Sequence, residues 1–334
     1  MSAATPLANG DARAEYRAAR DAVGLVDRSD LGVVEVAGRD RAKFLHALLS
    51  NDVAALATGQ GCAAALLDVH GKVQVTLVAL ALDDRVLLLT PPGMGESTVA
   101  ALDHYLFAEK VTLEDAGGRR ALLMLIGPAA EETVKRLTGA VPADAAWSHV
   151  GASLDGMDAR VVRGGGELEP REVWLVVPSG ERDRAWSAAV GAGARPLGAA
   201  ALESLRIEAG TPRFGADVDP TVLLPEIPSE RLVSHTKGCY PGQEVVVRIR
   251  DRGHVNRHLR GLLLDGDVVP PPGADVVADG AVVGRVTSAT LSLGLGRPIA
   301  LAFVRRQHAP GARVEVRTDR GTLPATVSDL PLSR

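Results

Sequence analysis

Ala121-Leu122-Leu123-Met124-Leu125-Ile126-Gly127-Pro128 is an apolar run closed by a Gly-Pro turn, and Ala129–Leu137 follows it with Glu131 and Glu132 near its start. The run reads as a strand and the segment behind it as a helix, with acids placed where a helix dipole favours them. The same order recurs at Val173–Val177, Pro178-Ser179-Gly180 and a helix over Glu181–Val190, with Glu181 and Asp183 near the start. It also occurs at Arg85–Thr90, where Pro91-Pro92-Gly93 stops the strand ahead of a helix near Glu96–Glu109. This repetition predicts duplicated α+β units whose helices cover one face of a sheet.

Outward from these units, residues 1–10 are small and polar and read as a disordered tail. A helix is expected over Ala12–Val23 and a strand at Val33–Val36. Asp40 is a candidate N-cap for a helix carrying Phe44, Leu45, Leu48 and Leu49. Ala63–Asp68 and Lys72–Leu80 read as hairpin arms about His70-Gly71. Leu202, Leu205, Ile207 and Ala209 share a helix with Gly210 as its stop. Residues 211–236 lack periodicity, and the element starting near Gly242 could be helix or strand because of Val245-Val246-Val247. Beyond 259, β-branched runs at Val282–Val286, Ile299–Val304 and Arg313–Arg317 predict a small all-β module. The expected division is a tail at 1–10, an α+β region at 11–258 made of two interleaved modules split near 115, and a β-barrel at 259–334.

The 334-residue chain is 46% hydrophobic but only 3% aromatic, which makes the core aliphatic and offers few stacking platforms for single-stranded nucleic acid. A net charge of -4 with no long basic block argues against direct nucleic-acid binding and against a membrane surface, leaving only a local patch at Arg248, Arg250 and Arg252. No apolar run reaches the ~20 residues of a membrane span, and Asp11, Arg13, Glu15, Arg17 and Arg20 break any signal-peptide core. A cytoplasmic protein with two free thiols is expected. Cys62, opening the apolar strand Ala63–Leu67, reads as core.

Phosphate-loop, H-E-x-x-H, C-x-x-C and G-x-S-x-G patterns are absent, and no metal site is expected from the scattered histidines. Gly164-Gly165-Gly166 precedes no helix and is not a dinucleotide loop. The stretch with chemical content is Lys237-Gly238-Cys239-Tyr240-Pro241-Gly242-Gln243-Glu244. Lys237 and a helix start at Pro241 or Gly242 would both favour a thiolate at Cys239. Such a thiolate could serve as nucleophile, redox thiol or metal ligand. The competing reading is a cysteine held in a glycine-rich turn for packing.

This octapeptide resembles the K-G-C-(F/Y)-x-G-Q-E signature of the YgfZ family, continued by Arg252-Gly253 and Asn256-Arg257. The wider chain resembles the glycine-cleavage T-protein superfamily to which YgfZ belongs. The matching segments are Val23–Ser29, Val36–Asp40, Leu49–Val53, Gly59–Gly61, Asp68–Lys72 and Leu205–Pro212. The resemblance implies an α+β fold of three modules arranged as a ring about a folate pocket, the last a β-barrel. It implies tetrahydrofolate or a one-carbon derivative as ligand, and iron–sulfur client or assembly proteins as partners. Leu31, Asn51, Leu202, Arg206 and Glu208 lie on segments that line the pocket in relatives, and Glu167 or Glu169 falls where relatives carry a pterin-binding carboxylate. Leu31 and Leu202 replace tryptophans found in some members.

The superfamily also contains aminomethyltransferases, which pass an aminomethyl carbon from a lipoyl sulfur to tetrahydrofolate. Those resemble the chain less well at two places. They carry an Asp after the strand that is here Arg85–Thr90, where this chain has Pro91–Ser97 with only Glu96, and they lack the cysteine of the octapeptide. The resemblance therefore implies a folate-binding factor for iron–sulfur cluster assembly or repair that depends on Cys239. An aminomethyltransferase and a non-catalytic scaffold are the alternatives.

Overall fold

The computed structural model describes residues 9–168 and 171–332. In chain order the first half contains α1 (Ala12–Asp21), β1 (Gly24–Asp27), β2 (Leu31–Ala37), α2 (Arg41–Leu48), β3 (Gly61–Leu67), β4 (Val73–Ala81), β5 (Arg85–Pro92), α3 (Gly95–Asp103) and β6 (Thr112–Asp115). The next region holds β7 (Arg120–Ile126), α4 (Ala130–Thr138), β8 (His149–Leu154), β9 (Met157–Arg163), β10 (Glu172–Pro178), α5 (Arg182–Gly191), β11 (Arg195–Pro196), α6 (Ala199–Ala209) and α7 (Gln243–Arg252). Six strands follow: β12 (Arg257–Leu264), β13 (Asp275–Ala278), β14 (Ala281–Leu291), β15 (Pro298–Arg305), β16 (Arg313–Thr318) and β17 (Gly321–Ser328).

One sheet runs β3-β4-β5-β2-β6 and the other β11-β1-β7-β10-β9-β8. The apolar run that opened the sequence reading is β7, central in the second sheet between β1 and β10. Its alternate residues divide between two cores. Ala121, Leu123 and Leu125 pack with Ala130 and Val134 of α4 and Ala185 and Ala189 of α5. Leu122, Met124 and Ile126 face the other way and pack with Val33, Leu87 and Leu89 of the first sheet. The outer face of the first sheet, through Val34, Val36, Val86 and Leu88, is covered by Phe44, Leu45 and Leu48 of α2 and Leu102 of α3. The two sheets therefore lie face to face with helices outside each. Strands buried on both faces carry continuous apolar runs instead of alternation, and each fully buried leucine contributes about 2 kcal/mol.

The last six strands close into a barrel, β12-β15-β14-β13-β16-β17. Along β15, Ala300, Ala302 and Val304 fill its interior. Ile299, Leu301 and Phe303 face outward onto Leu67, Val73, Ile207 and Tyr240. This is the α+β architecture with a terminal barrel that the sequence predicts.

Several local expectations need correction. The second sheet takes β1 between β7 and β11, so α1 and β1 precede the first sheet in sequence but belong with the second. The helix expected over Glu96–Glu109 stops at Asp103, because the Glu109 carboxylate captures the Phe107 and Ala108 N–H groups. Asp40 stands at the α2 N-cap position, but its side chain accepts from the Lys110 N–H at 2.8 Å and not from the helix. β5 runs on through Pro91 and Pro92, and β2 accommodates those residues with a register shift between Leu31 and Gly32. Among the described residues no helix is long and apolar enough to cross a membrane.

His149 sits where the two sheet modules meet. Its N–H donates to the Gly59 carbonyl at 2.7 Å, and Nδ1 lies 2.8 Å from Arg160 Nη1. A guanidinium can only donate, so Nδ1 accepts and the ring is neutral. Burial, then the Arg160 charge, push the His149 pKa from 6.5 down to about 4. The unfolded chain then binds a proton that the folded chain does not, and this contribution to stability is complete above pH 6.5 and lost as pH falls toward 4. Thermal melts at pH 7 and 4.5 are expected to show a larger acid drop for wild type than for His149→Gln, which keeps an acceptor for Arg160; equal drops would contradict the assignment.

Candidate functional site

A cavity of about 890 Å³ is walled by the two sheets, α6 and the irregular segment after it. Its apolar side is formed by Leu31, Val78, Leu89, Leu202 and the indoles of Trp147 and Trp174. All six belong to or pack against the core cluster between the sheets, so this wall is continuous with the core. The two indoles meet edge to face with centroids 6.1 Å apart. The Arg28 guanidinium lies 5.7 Å from the Trp174 ring centroid and 3.6 Å from Asp30.

Glu167 lines this cavity, and its carboxylate accepts no hydrogen bond from any described residue. Burial pushes its pKa upward while the Arg28 and Arg231 charges oppose the shift. Arg231 itself donates to the Gly165 carbonyl and takes part in no ion pair with a described residue. A partly buried carboxylate without donors, under the influence of two cations and in a cavity also lined by two indoles, can accept N–H bonds from a flat heteroaromatic ligand. Glu169 lies outside the described residues.

The other residues singled out in the sequence divide. Leu31 and Leu202 line the cavity. Arg206 also does, but its donors serve Glu203 at 2.5 Å, Asp217 at 2.7 Å and the Thr211 carbonyl at 2.8 Å. Asp217 in turn accepts from Thr287 of β14, so Arg206 ties α6 to the barrel. Asn51 is not in the lining; its amide donates to the carbonyls of Ala63 at 2.8 Å and Arg231 at 3.1 Å. Glu208 lies outside the cavity as well. Its fully buried carboxylate accepts from Tyr16 at 2.5 Å, Arg20 at 3.2 Å, Ser204 at 2.7 Å, Ser292 at 2.5 Å and the Gly294 N–H at 3.2 Å. It joins α1, α6 and the loop after β14, leaving no lone pair for a ligand; burial and this carboxylate push the Tyr16 pKa up to about 12.

The octapeptide Lys237–Glu244 is separate from the cavity lining, and the Cys239 thiol is exposed. The sequence pairs Lys237 with that thiol. In the structure its ammonium is buried and donates to the carbonyls of His46 and Leu49, which close the C-terminal end of α2. It also lies 5.0 Å from the centroid of the buried Tyr240 ring. Burial pushes the Lys237 pKa down to about 8, with Asp52 opposing. α7 begins at Gln243, so Cys239 is not part of its first turn, and Glu244 is the acid of that turn. Gly242 has φ 78°, and a Cβ there would meet the Asp68 carbonyl at 2.5 Å in the β3–β4 turn. Gly238 lies beside His46. Cys62 is partly buried against the α2-side core, and burial, with Asp52 adding, pushes its thiol up to about 12.

A family model described as the GCVT N-terminal domain matches residues 5–237, and one for the glycine cleavage T-protein C-terminal barrel domain matches 257–333. The chain belongs to the glycine-cleavage T-protein family. Within that family it is 35% identical over 311 residues to an aminomethyltransferase of Frankia alni, covering 91% of this chain and 84% of the relative. It is 30% identical over 313 residues to a putative chloroplastic transferase of Arabidopsis thaliana, covering 92% and 71%. The crystal structure of the glycine cleavage system aminomethyltransferase T from Bartonella henselae superposes with a TM-score of 0.88 over 98% of this chain and 91% of that one, at 23% identity, and so shares the T-protein fold.

Sequence reasoning missed Trp147, Trp174, Arg28 and Arg231 as cavity residues. The available signal was the rarity of tryptophan, three in the chain, two of which meet at one wall.

Two variants test the structural assignments. Glu208→Ala strips five donors of their shared acceptor and is expected to lower unfolding free energy by about 2–3 kcal/mol in urea titration; a loss under ~0.5 kcal/mol would remove Glu208 as an inter-module tie. Lys237→Met is expected to weaken the last turn of α2 by ~1–2 kcal/mol, read as faster hydrogen exchange of its amides. Unchanged exchange there would return Lys237 to a purely chemical role.

Proposed function

We propose that the protein binds a reduced folate, tetrahydrofolate or a one-carbon derivative, in the central cavity. The observation that carries this is the donor-free Glu167 carboxylate, under the influence of Arg28 and Arg231 in a cavity also lined by Trp147 and Trp174. A pterin offers a flat ring for the apolar wall and N–H donors for the carboxylate. The anionic glutamyl tail is then served by Arg231, the rim guanidinium free of ion pairs among the described residues. Leu31 and Leu202 give the ring aliphatic contacts where some relatives place tryptophan. Glu208 and Asn51 act behind the wall and not as ligands.

Two finer readings have separate support. Folate-dependent aminomethyl transfer is supported by the names of the curated relatives. Where transferases carry their Asp, however, the cavity is lined by Thr90, Pro91 and Pro92, and Glu96 is not in the lining. A role in iron–sulfur cluster assembly or repair is supported by the octapeptide. The exposed Cys239 thiol outside the cavity fits a thiol function that is separable from the folate site. We favour a folate-binding factor with an independent Cys239 function over a transferase, on the missing carboxylate at the end of β5.

Calorimetric titration with 5-formyltetrahydrofolate is expected to show saturable binding by wild type and by Cys239→Ala alike, and ~10- to 100-fold weaker binding by Glu167→Gln. No binding by wild type would overturn the folate reading. Transfer of an aminomethyl group from a lipoylated carrier protein to tetrahydrofolate, assayed in parallel, is expected to be absent; turnover would make the transferase the correct reading.

A further inference from the structure

Gly164-Gly165-Gly166, which the sequence leaves without a role, leads into the cavity wall, which Gly165 and Gly166 line immediately before Glu167. A Cβ on Gly165 would stand 2.5 Å from Cζ2 of the Trp147 ring, and one on Gly164 would stand 2.4 Å from Cβ of Glu172 and 3.1 Å from Nε1 of Trp174. The backbone thus lies directly on both tryptophans, closer than any side chain allows. Gly166 has φ 78°, which turns the chain just ahead of Glu167.

This ribbon is pinned from three directions. Arg231 donates to the Gly165 carbonyl, Thr211 donates to the Glu167 carbonyl, and the Leu168 N–H donates to Glu172 of β10. Every anchor holds backbone, and none touches the Glu167 carboxylate. Trp147, the support beneath the ribbon, is itself a non-glycine residue at φ 64° with only 5% of its surface exposed. Such backbone conformations persist only where surrounding packing fixes them. The Trp174 Nε1–H, 2% exposed as a residue, has no hydrogen-bond partner among the described residues, so that indole is not placed there to satisfy a polar contact.

We propose that the Gly164–Gly166 ribbon, seated on Trp147 and Trp174, is the positioning element that fixes the Glu167 carboxylate in the cavity and so sets which heterocycle the cavity accepts. Gly165 is a positioning residue that acts through Glu167, and Trp147 both supports it from beneath and lines the cavity. The inference rests on the cavity being the ligand site. In that setting the ligand class is a flat heterocycle with adjacent N–H donors on one edge, as in a 2-amino-4-oxopteridine. A ring lacking those donors would leave the carboxylate buried and unpaired.

The test has a ligand-free and a ligand-bound arm. In the first, the side-chain carboxyl of selectively ¹³C-labelled Glu167 is titrated by NMR in wild type, Gly165→Ala and Trp147→Phe. Displacing the ribbon is expected to shift that titration toward the ordinary glutamate value in both variants, with Trp147→Phe, the milder change, keeping the fold if Gly165→Ala does not. An unchanged titration in a folded variant overturns the proposal. In the second, 5-formyltetrahydrofolate is titrated into Gly165→Ala with and without Glu167→Gln. The expected result is a loss of about tenfold or more from Gly165→Ala alone, since small misplacements of a positioned group are costly, and under twofold when Glu167→Gln is already present. Equal losses in both backgrounds would show that the ribbon does not work through Glu167. If wild type fails to bind, the folate reading falls, and the carboxyl titration still decides the ribbon's role.

Discussion

Burial of both faces of two largely antiparallel sheets is the constraint on which the rest of the molecule depends. Each sheet uses one face for its helices and the other for its partner sheet, so the central residues of β5, β7 and β10, Val86–Leu89, Ala121–Ile126 and Val173–Val177, must be apolar. A polar group between the sheets would lose water without gaining a partner. Polar chemistry is therefore confined to one end of the interface, where the core cluster gives way to the cavity. Val78, Leu89 and Trp174 belong to both. The cavity is in this sense the unfilled end of the sheet–sheet core, and its apolar wall continues that core.

The barrel and the irregular segment are attached by buried polar ties. Glu208 gathers donors from α1, α6 and the loop after β14, and Asp217 joins Arg206 to Thr287. Lys237 closes the end of α2 from a segment nearly two hundred positions further along the chain. Ser50 adds to the same seam by donating to the Leu232 carbonyl, and Asn51 by donating to that of Arg231. Residues 227–232 thus face the cavity on one side while the continuing chain carries Cys239 to the surface. The fold keeps the cavity and an exposed thiol on one strap without placing them together.

What the sequence made legible follows from how local each signal is. The strand–turn–helix order at β7–α4 and β10–α5 is written in adjacent residues, and so are the Gly210 stop and the β-branched runs of the barrel. The type of α7 was ambiguous because Val245–Val247 favour strands, and tertiary packing of Val246 onto the barrel-side core decides it. Charged residues misled for the same physical reason. Arg206, Glu208 and Lys237 lie on segments associated with ligands, but their partners are Asp217, Tyr16 and the end of α2, which no short-range pattern reveals. The Trp147–Trp174 pair and the glycine ribbon were illegible because their meaning arises only when β8, β10 and the 164–168 loop converge.

The central claim, that the donor-free Glu167 carboxylate is the recognition group of a folate site, is tested most directly by a crystal structure of the protein with 5-formyltetrahydrofolate. The account predicts the pterin against Trp147 and Trp174 with its N–H edge on Glu167 and the glutamyl tail toward Arg231. A pterin bound elsewhere, or bound there with its N–H edge turned away from Glu167, would contradict it.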